Sequence, residues 1–336
     1  MVMERLYPPP FDKPAPAQYN RPMIVGHFPC PTEELHLEHT LVCGQAFRWH
    51  LDAEGWWSCP LPVTRDAGRR EDTLIRVRQG AETIYYDAAP PDALATIRDY
   101  FRLDVDLAAL AQEFLAADPA IGAAISRFPG LRVLRQAPTE CLFSFLCTAA
   151  APLHRIRRGI AGLCRAYGTP FGEVAGVPHY GFPSVDALAE ASVAEMMTFG
   201  LGYRARYIQA AARQVAAQGG ADWLLGLRQV PYAEAKAALR TLPGVGEKIA
   251  DCVCLFSLDK DQAIPVDTHI RRIALRDYVD TPLSRSLTPA AYAQIGDILR
   301  ARFGPRAGWA QQFLFFHDLY GKGAWEAYAA LYRTAA

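Results

Sequence analysis

The hydrophobic pattern of this chain changes its period once, near residue 90. Before that point, short segments rich in aromatic and β-branched residues alternate with turn residues, as the strands of an antiparallel sheet do. These segments are residues 45–50, 55–63, 73–79 and 82–87. Beyond it, in residues 91–101 and 106–116, apolar residues recur at intervals of three and four, which is typical of amphipathic helices. The sequence therefore predicts an α+β fold with an N-terminal antiparallel sheet followed by a mainly helical domain.

The domain organisation follows from this change of period. Residues 1–22 are rich in proline and polar groups, which predicts a flexible lead-in. We assign residues 23–128 to a sheet-containing N-terminal domain and residues 129–336 to a helical domain. A chain of 336 residues with 51% hydrophobic residues is long enough to bury a sizeable core in such a pair of units.

Charge and cysteine content restrict the class of partner. The formal net charge is zero, which argues mildly against a nucleic-acid partner; arginines cluster at residues 155–158, 204–206 and 271–272, but solvated helix faces are the ordinary explanation. The cysteines lie in apolar runs such as residues 140–147 and 250–258, which is typical of buried free thiols in a reducing compartment. Because no segment has the pattern of a signal peptide or a membrane span, we expect a cytoplasmic or nucleoid protein, or a nuclear one in a eukaryote, with no membrane partner.

A short turn between two helical segments carries the first functional signal. Residues 232–241 have the pattern of a helix, and a second helix is predicted over about residues 247–258. The intervening Leu-Pro-Gly-Val-Gly (residues 242–246) forces a tight turn, because proline fixes φ and glycine permits positive φ. In such a helix-hairpin-helix, the N–H groups of Gly244 and Gly246 can approach a DNA phosphate, and the positive end of the second helix adds to the attraction. An ordinary helical hairpin with a glycine turn is the alternative.

Lys248 lies in the first turn of the second predicted helix. A free lysine has a pKa of about 10.4, so it is protonated at neutral pH and is no nucleophile. The positive end of the helix and burial would both disfavour the charge of Lys248 and so favour the neutral amine. Because a lysine is electrostatically unfavourable in a first turn, its presence there indicates a functional role. A solvated surface lysine is the alternative.

Asp267 follows in the segment Ile-Pro-Val-Asp-Thr-His (residues 264–269). We expect it to cap a helix over residues 268–278, and capping alone would explain it. A cap also fixes the carboxylate, which would then be aimed across the hairpin towards Lys248. A neutral amine with a fixed carboxylate suits attack on a glycosidic carbon, because the amine supplies the nucleophile and the carboxylate stabilises oxocarbenium charge and handles protons.

These residues resemble the helix-hairpin-helix DNA glycosylases, in which LPGVGEKIADC followed by PVDTH is the arrangement of hairpin, lysine and aspartate. Other segments resemble the 8-oxoguanine DNA glycosylases within that superfamily and occur in the same order. They are CGQAFRW (43–49), FRLDVDLAAL (101–110), LRVLRQAPTECLFSFLC (131–147), FGLGYRARY (199–207) and AGWAQQFLF (307–315). The resemblance covers about residues 30–320, which is nearly the whole chain.

The resemblance implies an enzyme that binds double-stranded DNA and excises an oxidised purine, namely 8-oxoguanine and also formamidopyrimidine guanine. Lys248 would attack C1′ of a flipped-out nucleotide with the assistance of Asp267. The reaction would pass through a Schiff base to β-elimination, so the enzyme would be both a glycosylase and a lyase. The resemblance also implies a monomer that requires no metal or other cofactor, with backbone carbonyls of the hairpin able to hold a structural cation.

The resemblance further implies which residues bind the damaged base. The backbone oxygen of the Gly44 loop would accept the N7–H of 8-oxoguanine, a hydrogen that guanine lacks. Gln311 and Phe315 are four residues apart and share a helix face, so they would bind the Watson–Crick edge and stack on the base. Cys252 would form the other wall of the base sandwich, and Pro265 would line the pocket. A turn glycine, a surface amide and core residues are the alternatives.

On the opposite strand, the resemblance implies that Arg155 and Arg204 hydrogen-bond the estranged cytosine and that Tyr203 wedges into the duplex. Guanidinium and aromatic groups suit these tasks. His269 would hold a phosphate together with the two glycine amides of the hairpin.

One segment departs from the family pattern. The better-known members carry an asparagine run that fills the gap left by the flipped base, whereas this chain has Ala149, Ala150 and Ala151, followed by Pro152. Alanine cannot hydrogen-bond an orphaned base, and proline alters the local backbone. The sequence therefore predicts weaker discrimination of the base opposite the lesion.

Two alternatives stay open at this point. One is a helix-hairpin-helix glycosylase with another base specificity. Lys248 argues against the lysine-free alkylation enzymes, and no cysteine follows Cys254, so the four-cysteine iron–sulfur motif of the endonuclease III and adenine glycosylase branches is absent. The other is a non-catalytic DNA-binding module, against which the combination of Lys248 and Asp267 argues.

Overall fold

The structure of the protein is a computed structural model. It describes residues 24–64, 70–88, 93–279, 286–321 and 325–333. The predicted lead-in, residues 1–22, lies outside the described residues. The predicted domain boundary at residue 128 stays a prediction.

An antiparallel sheet forms the N-terminal part of the fold, as the sequence predicts. Its strands are β1 (Ile24–Pro29), β2 (His50–Leu51), β3 (Trp56–Thr64), β4 (Arg70–Gln79) and β5 (Thr83–Ala88). They lie in the order β1-β5-β4-β3-β2, and each neighbouring pair is antiparallel. Residues 57–61 of β3 are all buried, so the middle of this strand is covered on both faces.

Helices make up most of the chain beyond the sheet. The helices up to residue 226 are α1 (Leu37–Val42), α2 (Ala93–Tyr100), α3 (Leu107–Ala117), α4 (Gly122–Arg127), α5 (Pro138–Leu146), α6 (Leu153–Tyr167), α7 (Val185–Glu190), α8 (Val193–Met196), α9 (Arg204–Ala217) and α10 (Gly220–Gly226). Those that follow are α11 (Tyr232–Arg240), α12 (Glu247–Ser257), α13 (Thr268–Asp277), α14 (Pro289–Phe303), α15 (Ala307–Tyr320) and α16 (Trp325–Ala330). The predicted helices 91–101 and 106–116 correspond to α2 and α3, and both predicted helices of the hairpin are confirmed as α11 and α12.

One apolar core runs from the inner face of the sheet into the helices. The loop after α1 is fastened to this core by Gln45, whose side chain is fully buried. Its amide donates to the carbonyls of Thr40 at 2.9 Å and Arg132 at 2.7 Å, and its oxygen accepts from the N–H of Leu134 at 2.9 Å. Because these bonds cross between distant segments, the backbone around Gly44 is held in one place.

The predicted strand over residues 45–50 is wrong except at its end, where His50 and Leu51 pair with β3. The carbonyl of Gln45 accepts a hydrogen bond from the side chain of Gln136 at 2.8 Å, so this backbone bonds to a side chain rather than to a neighbouring strand. The helix α1 also lies in the region, beginning at about residue 36, whose residue pattern predicts strands.

The sequence pattern also misses three strands. One is β1, which pairs with β5 at the edge of the sheet. The others are β6 (Pro170–Val174) and β7 (Val177–Tyr180), which form a hairpin within the helical part of the chain. Their turn places Ala175 at φ 50° and Gly176 at φ 75°. An alanine is rarely found at positive φ, so this pair is a poor signal for a hairpin turn.

All eight cysteines are free and buried, which confirms the expectation from their apolar surroundings. No helix among the described residues has the length and apolar character needed to cross a membrane.

Candidate active site

The turn between α11 and α12 has the geometry that its glycines predict. Gly244 lies at φ +80°, which favours glycine, and a Cβ atom there would approach Tyr207 Cβ to 2.8 Å and Leu146 Cδ2 to 3.2 Å. Gly246 has an extended backbone that any residue adopts, and a Cβ atom there would meet nothing within 4 Å. The space outside Gly246 is therefore open to a partner.

The first turn of α12 is available to an anion. Gly246 caps the helix without a side chain, so no capping oxygen accepts from the first N–H groups. Unpaired N–H groups at the positive end of a helix attract phosphate. A phosphate can therefore come close to the backbone of the hairpin, where the N–H groups at the start of the helix point outward as donors.

Lys248 is the second residue of α12 and is half-buried. Its ammonium forms no ion pair with the described residues, whereas the carboxylate of the preceding Glu247 pairs with Lys236 at 3.0 Å and with Arg240 at 2.9 Å. The carboxylate adjacent in sequence is thus engaged elsewhere, and Lys248 has no ion-pair partner among the described residues.

Asp267 caps α13, as the sequence predicts. Its Oδ1 atom accepts from the N–H groups of His269 and Ile270, both at 2.9 Å. The Oδ2 atom accepts no hydrogen bond from the described residues, so one oxygen of the carboxylate fixes its position while the other has no donor.

Lys248 and Asp267 both affect the pKa of the Cys252 thiol. The thiol is 2% exposed, and burial raises its pKa to about 12. The Lys248 ammonium acts to lower this pKa, and the carboxylates of Asp251 and Asp267 act to raise it. Both predicted catalytic groups therefore lie close enough to Cys252 to act on its thiol. Since this thiol stays protonated at neutral pH, it is not a nucleophile.

The predicted base-binding residues Gly44 and Phe315 are in contact. Gly44 lies at φ +82°, and a Cβ atom there would be 3.5 Å from Phe315 Cε1. The carbonyl of Gly44 accepts no hydrogen bond from the described residues. The ring of Phe315, which is half-exposed, meets the ring of His269 edge-on at a centroid distance of 5.5 Å. The loop that contains Gly44, called here the glycine loop, therefore meets α15 and the start of α13. Pro265, also predicted to line the pocket, is buried in the segment that leads to α13.

Two adjacent glutamines of α15 have different environments. Gln311 is 3% exposed, and its Oε1 atom is buried without a hydrogen-bond partner among the described residues. Gln312 donates to the carbonyl of Cys43 at 2.9 Å and so fastens the glycine loop to α15. A buried amide oxygen without a partner costs free energy, so Gln311 is suited to bind an external donor. The sequence reasoning missed Gln312, because its contact joins segments at opposite ends of the chain.

Asp318 is a further residue that the sequence reasoning missed. Its carboxylate lies 2.8 Å from Nδ1 of His269 and also pairs with Arg272. Burial acts to raise the pKa of Asp318, but the hydrogen bonds from His269 and Arg272 outweigh it and hold this pKa below its usual value. Asp318 therefore orients the imidazole of His269. Its spacing of three residues from Phe315 on α15 was the available signal.

Two of the predicted opposite-base residues, Arg204 and Tyr203, are in contact. Arg204 donates through Nε to the carbonyl of Ala149 at 2.6 Å, and its guanidinium lies 4.8 Å from the ring centroid of Tyr203. Tyr203 is 55% exposed at the start of α9. Arg155 is exposed on α6. Within the alanine run, Ala150 lies at φ 50°, a conformation that alanine rarely adopts.

Comparison with known proteins agrees with this geometry. Residues 27–142 match the 8-oxoguanine DNA glycosylase N-terminal domain, and residues 143–292 match the HhH-GPD superfamily of base excision DNA repair proteins. The chain is 36% identical to an N-glycosylase/DNA lyase of Arabidopsis thaliana over 85% of this chain and 78% of that protein. It is 32% identical to an N-glycosylase/DNA lyase of Saccharomyces cerevisiae over 86% of this chain and 84% of that protein.

A solved structure is also similar. The 8-oxoguanine glycosylase/lyase of Clostridium acetobutylicum, in complex with double-stranded DNA containing cytosine opposite 8-oxoguanine, superposes with a TM-score of 0.73 at 27% identity. The match covers 84% of this chain and 91% of that one. The similarity in sequence and fold over most of each chain shows that this protein belongs to the 8-oxoguanine DNA glycosylase family of N-glycosylase/DNA lyases.

Proposed function

We propose that this protein is a bifunctional DNA glycosylase and lyase that removes 8-oxoguanine from double-stranded DNA in base excision repair. Formamidopyrimidine guanine, which shares the oxidised imidazole end, is a second substrate. The observation that carries the proposal is geometric: Asp267 accepts from the N–H of His269, whose ring meets that of Phe315, and Phe315 lies beside Gly44. Lys248 begins a different helix, and both Lys248 and Asp267 act on the pKa of the Cys252 thiol.

Recognition of the base rests on unpaired acceptors. The free carbonyl of Gly44 would accept the N7–H of 8-oxoguanine, and guanine, which lacks that hydrogen, would leave the carbonyl unpaired in a closed pocket. The buried Oε1 atom of Gln311 would accept from the Watson–Crick edge of the flipped base. Phe315 and Cys252 would enclose the two faces of the ring.

The chemistry follows from the amine of Lys248. Its lone pair forms a bond to C1′ as the glycosidic bond breaks, and the electron pair of that bond leaves with the base, which takes up a proton. The free oxygen of Asp267 stabilises positive charge on the sugar in the transition state. The sugar ring then opens to a Schiff base on Lys248. Loss of a proton from C2′ expels the 3′-phosphate by β-elimination and nicks the strand.

The remaining contacts would hold the duplex. The amides around Gly244 and Gly246 and the imidazole of His269 would bind phosphates, and Tyr203 would wedge into the stack vacated by the base. Arg204 would exchange its bond to the carbonyl of Ala149 for one to the estranged base.

We further propose that the enzyme acts as a monomer where chromosomal DNA lies, in the cytoplasm or nucleoid of a bacterium or the nucleus of a eukaryote. The described residues contain no group of three or more histidine, cysteine, aspartate or glutamate side chains able to hold a metal ion. A structural cation at the hairpin would therefore have to be held by backbone carbonyls and phosphate.

Substitutions of Asp267 test the proposal because they separate capping from chemistry. Asp267→Asn keeps a capping side chain, whereas Asp267→Ala loses it and should lower the free energy of unfolding by about 1 kcal/mol. Both variants lose the carboxylate, so we expect excision from an 8-oxoguanine oligonucleotide to fall by about 10² or more in single-turnover assays. Full excision by Asp267→Asn would contradict the assigned role, and a wild-type protein that releases no 8-oxoguanine would contradict the proposed substrate.

A further inference from the structure

A buried carboxylate lies behind the hairpin, on the helix that carries Lys248. Asp251, in α12, is 1% exposed. Three donors meet it. Tyr232 donates to Oδ1 at 2.6 Å, Lys236 donates to Oδ2 at 2.8 Å, and Tyr292 donates to Oδ2 at 2.7 Å. Such a carboxylate is costly to bury unless it is paired and hydrogen-bonded, and these donors meet that requirement.

Tyr292 differs from the other two donors because it also reaches the segment that leads to Asp267. It projects from α14, and its hydroxyl accepts from the N–H of Val266 at 3.1 Å and lies 3.1 Å from the carbonyl of Ile264. Ile264 and Val266 flank Pro265, and all three are buried. One hydroxyl thus joins α12 to the backbone on both sides of the pocket proline.

The consequence for the active site is geometric. Asp251 belongs to the same helix as Lys248, and Val266 directly precedes Asp267, whose own side chain is fixed by the cap of α13. The bond from Tyr292 to Asp251 and the bond from Val266 to Tyr292 therefore connect the element that carries the amine to the element that carries the carboxylate. Proline has no N–H with which to form such a link, so its neighbours must provide it.

We propose that Tyr292, oriented by Asp251, is a positioning residue that sets the distance between Lys248 and Asp267 and the place of Pro265 in the pocket. This inference rests on the proposed function and adds a residue outside the pocket to it. Tyr292 touches neither the base nor the sugar. It acts through the backbone of residues 264–266, and a displacement of about 1 Å at a reacting group is enough to cost up to 10²-fold in rate.

Tyr232 supplies a matched control. Its hydroxyl donates to the same carboxylate as that of Tyr292, but none of its hydrogen bonds reaches residues 264–266. Tyr292→Phe and Tyr232→Phe therefore each remove one hydroxyl and one bond to Asp251 while they keep the ring. Only Tyr292→Phe also removes the acceptor of the Val266 N–H.

The test compares these two variants in the full-length protein. We expect Tyr292→Phe to slow single-turnover excision of 8-oxoguanine about tenfold, with an unchanged Kd for the oligonucleotide, and to speed hydrogen exchange in a peptide that contains Val266. Tyr232→Phe should stay within about twofold of the wild-type rate, with unchanged exchange at Val266 and a smaller loss of thermal stability, because it leaves no buried N–H unpaired.

Equal excision rates in the two variants, or unchanged exchange at Val266 in Tyr292→Phe, would overturn the inference. The exchange readout uses protein without DNA. It therefore decides whether Tyr292 holds the segment even if the wild-type protein proves inactive on 8-oxoguanine, a result that would overturn the proposed function alone.

Discussion

The ring of Phe315 packs against Gly44, and a Cβ atom added to Gly44 would lie 3.5 Å from Phe315 Cε1. The contact joins α15, near the end of the chain, to the loop after α1. There is space for a methyl group at Gly44, but its φ of +82° is strained for any other residue. The glycine is therefore required for the backbone shape that leaves its carbonyl unpaired.

Alanine substitutions at two glycines should separate the loss of the Gly44 acceptor from the strain of a positive φ. We expect Gly44→Ala to lower the free energy of unfolding by about 1 kcal/mol and to slow excision of 8-oxoguanine at least about tenfold, because the acceptor carbonyl moves. Gly176→Ala is the control, since Gly176 has φ +75° and open space but lies in the turn between β6 and β7. Thermal unfolding and single-turnover excision measure the two effects; equal excision by the two variants would contradict the role of Gly44.

The adjacent residues Gln311 and Gln312 should respond in opposite ways to the same substitution. Gln311→Leu removes a buried oxygen that has no partner, so we expect unchanged or higher stability together with weaker binding and slower excision of the lesion. Gln312→Leu leaves the carbonyl of Cys43 unpaired and should cost about 1–3 kcal/mol of stability. Denaturant unfolding and lesion binding distinguish them, and a large loss of stability in Gln311→Leu would show that its oxygen is paired in the free protein.

Ala150 offers a gain of function. Asparagine and glycine tolerate the positive φ of this residue better than alanine does, so we expect both Ala150→Asn and Ala150→Gly to raise the free energy of unfolding by about 0.5–1 kcal/mol. Only asparagine adds a side chain able to hydrogen-bond an orphaned base. Cleavage of 8-oxoguanine opposite C, T, G and A should therefore become more selective for cytosine in Ala150→Asn alone. A wild-type protein that already has a sharp preference for cytosine would contradict this explanation of the alanine run.

The pH dependence of stability should reflect Asp318. Its pKa is lower in the folded protein than in the unfolded chain, so its contribution is fully present above the ordinary carboxyl pKa of about 3.9 and is lost as the pH falls through the lower folded value. We expect the difference in Tm between wild type and Asp318→Asn to be constant from about pH 5 to pH 7 and to shrink below about pH 4. A difference that grows as the pH falls would contradict the sign of this effect.

The parts of the site that are local in sequence could be predicted from the sequence. The turn at Gly244 follows from the steric rules for proline and glycine, and the capping by Asp267 follows from its place before an amphipathic helix. The contact of Gly44 with Phe315 was implied by the family resemblance alone, because no local rule relates residues so far apart.

Contacts between segments that are distant in the sequence could not be predicted. Gln312 meets Cys43, and Asp318 meets His269, only after the helices have packed. The hairpin at Ala175 could not be predicted because its turn uses an alanine at positive φ, a conformation that the local rules for hairpin turns assign mainly to glycine and asparagine. The segment from Gln45 does not form the predicted strand, because its backbone carbonyl accepts a hydrogen bond from the side chain of Gln136 rather than from a neighbouring strand.

The most direct test of the account is borohydride trapping of the covalent intermediate. Reduction would convert a Schiff base between Lys248 and the opened sugar into a stable bond, so the protein would migrate with the DNA in a denaturing gel. We predict a trapped adduct for the wild-type protein with 8-oxoguanine duplex, and none for Lys248→Gln under the same conditions. The account would be contradicted if the wild-type protein gave no adduct while a known lyase gave one, or if Lys248→Gln were trapped as efficiently as the wild type.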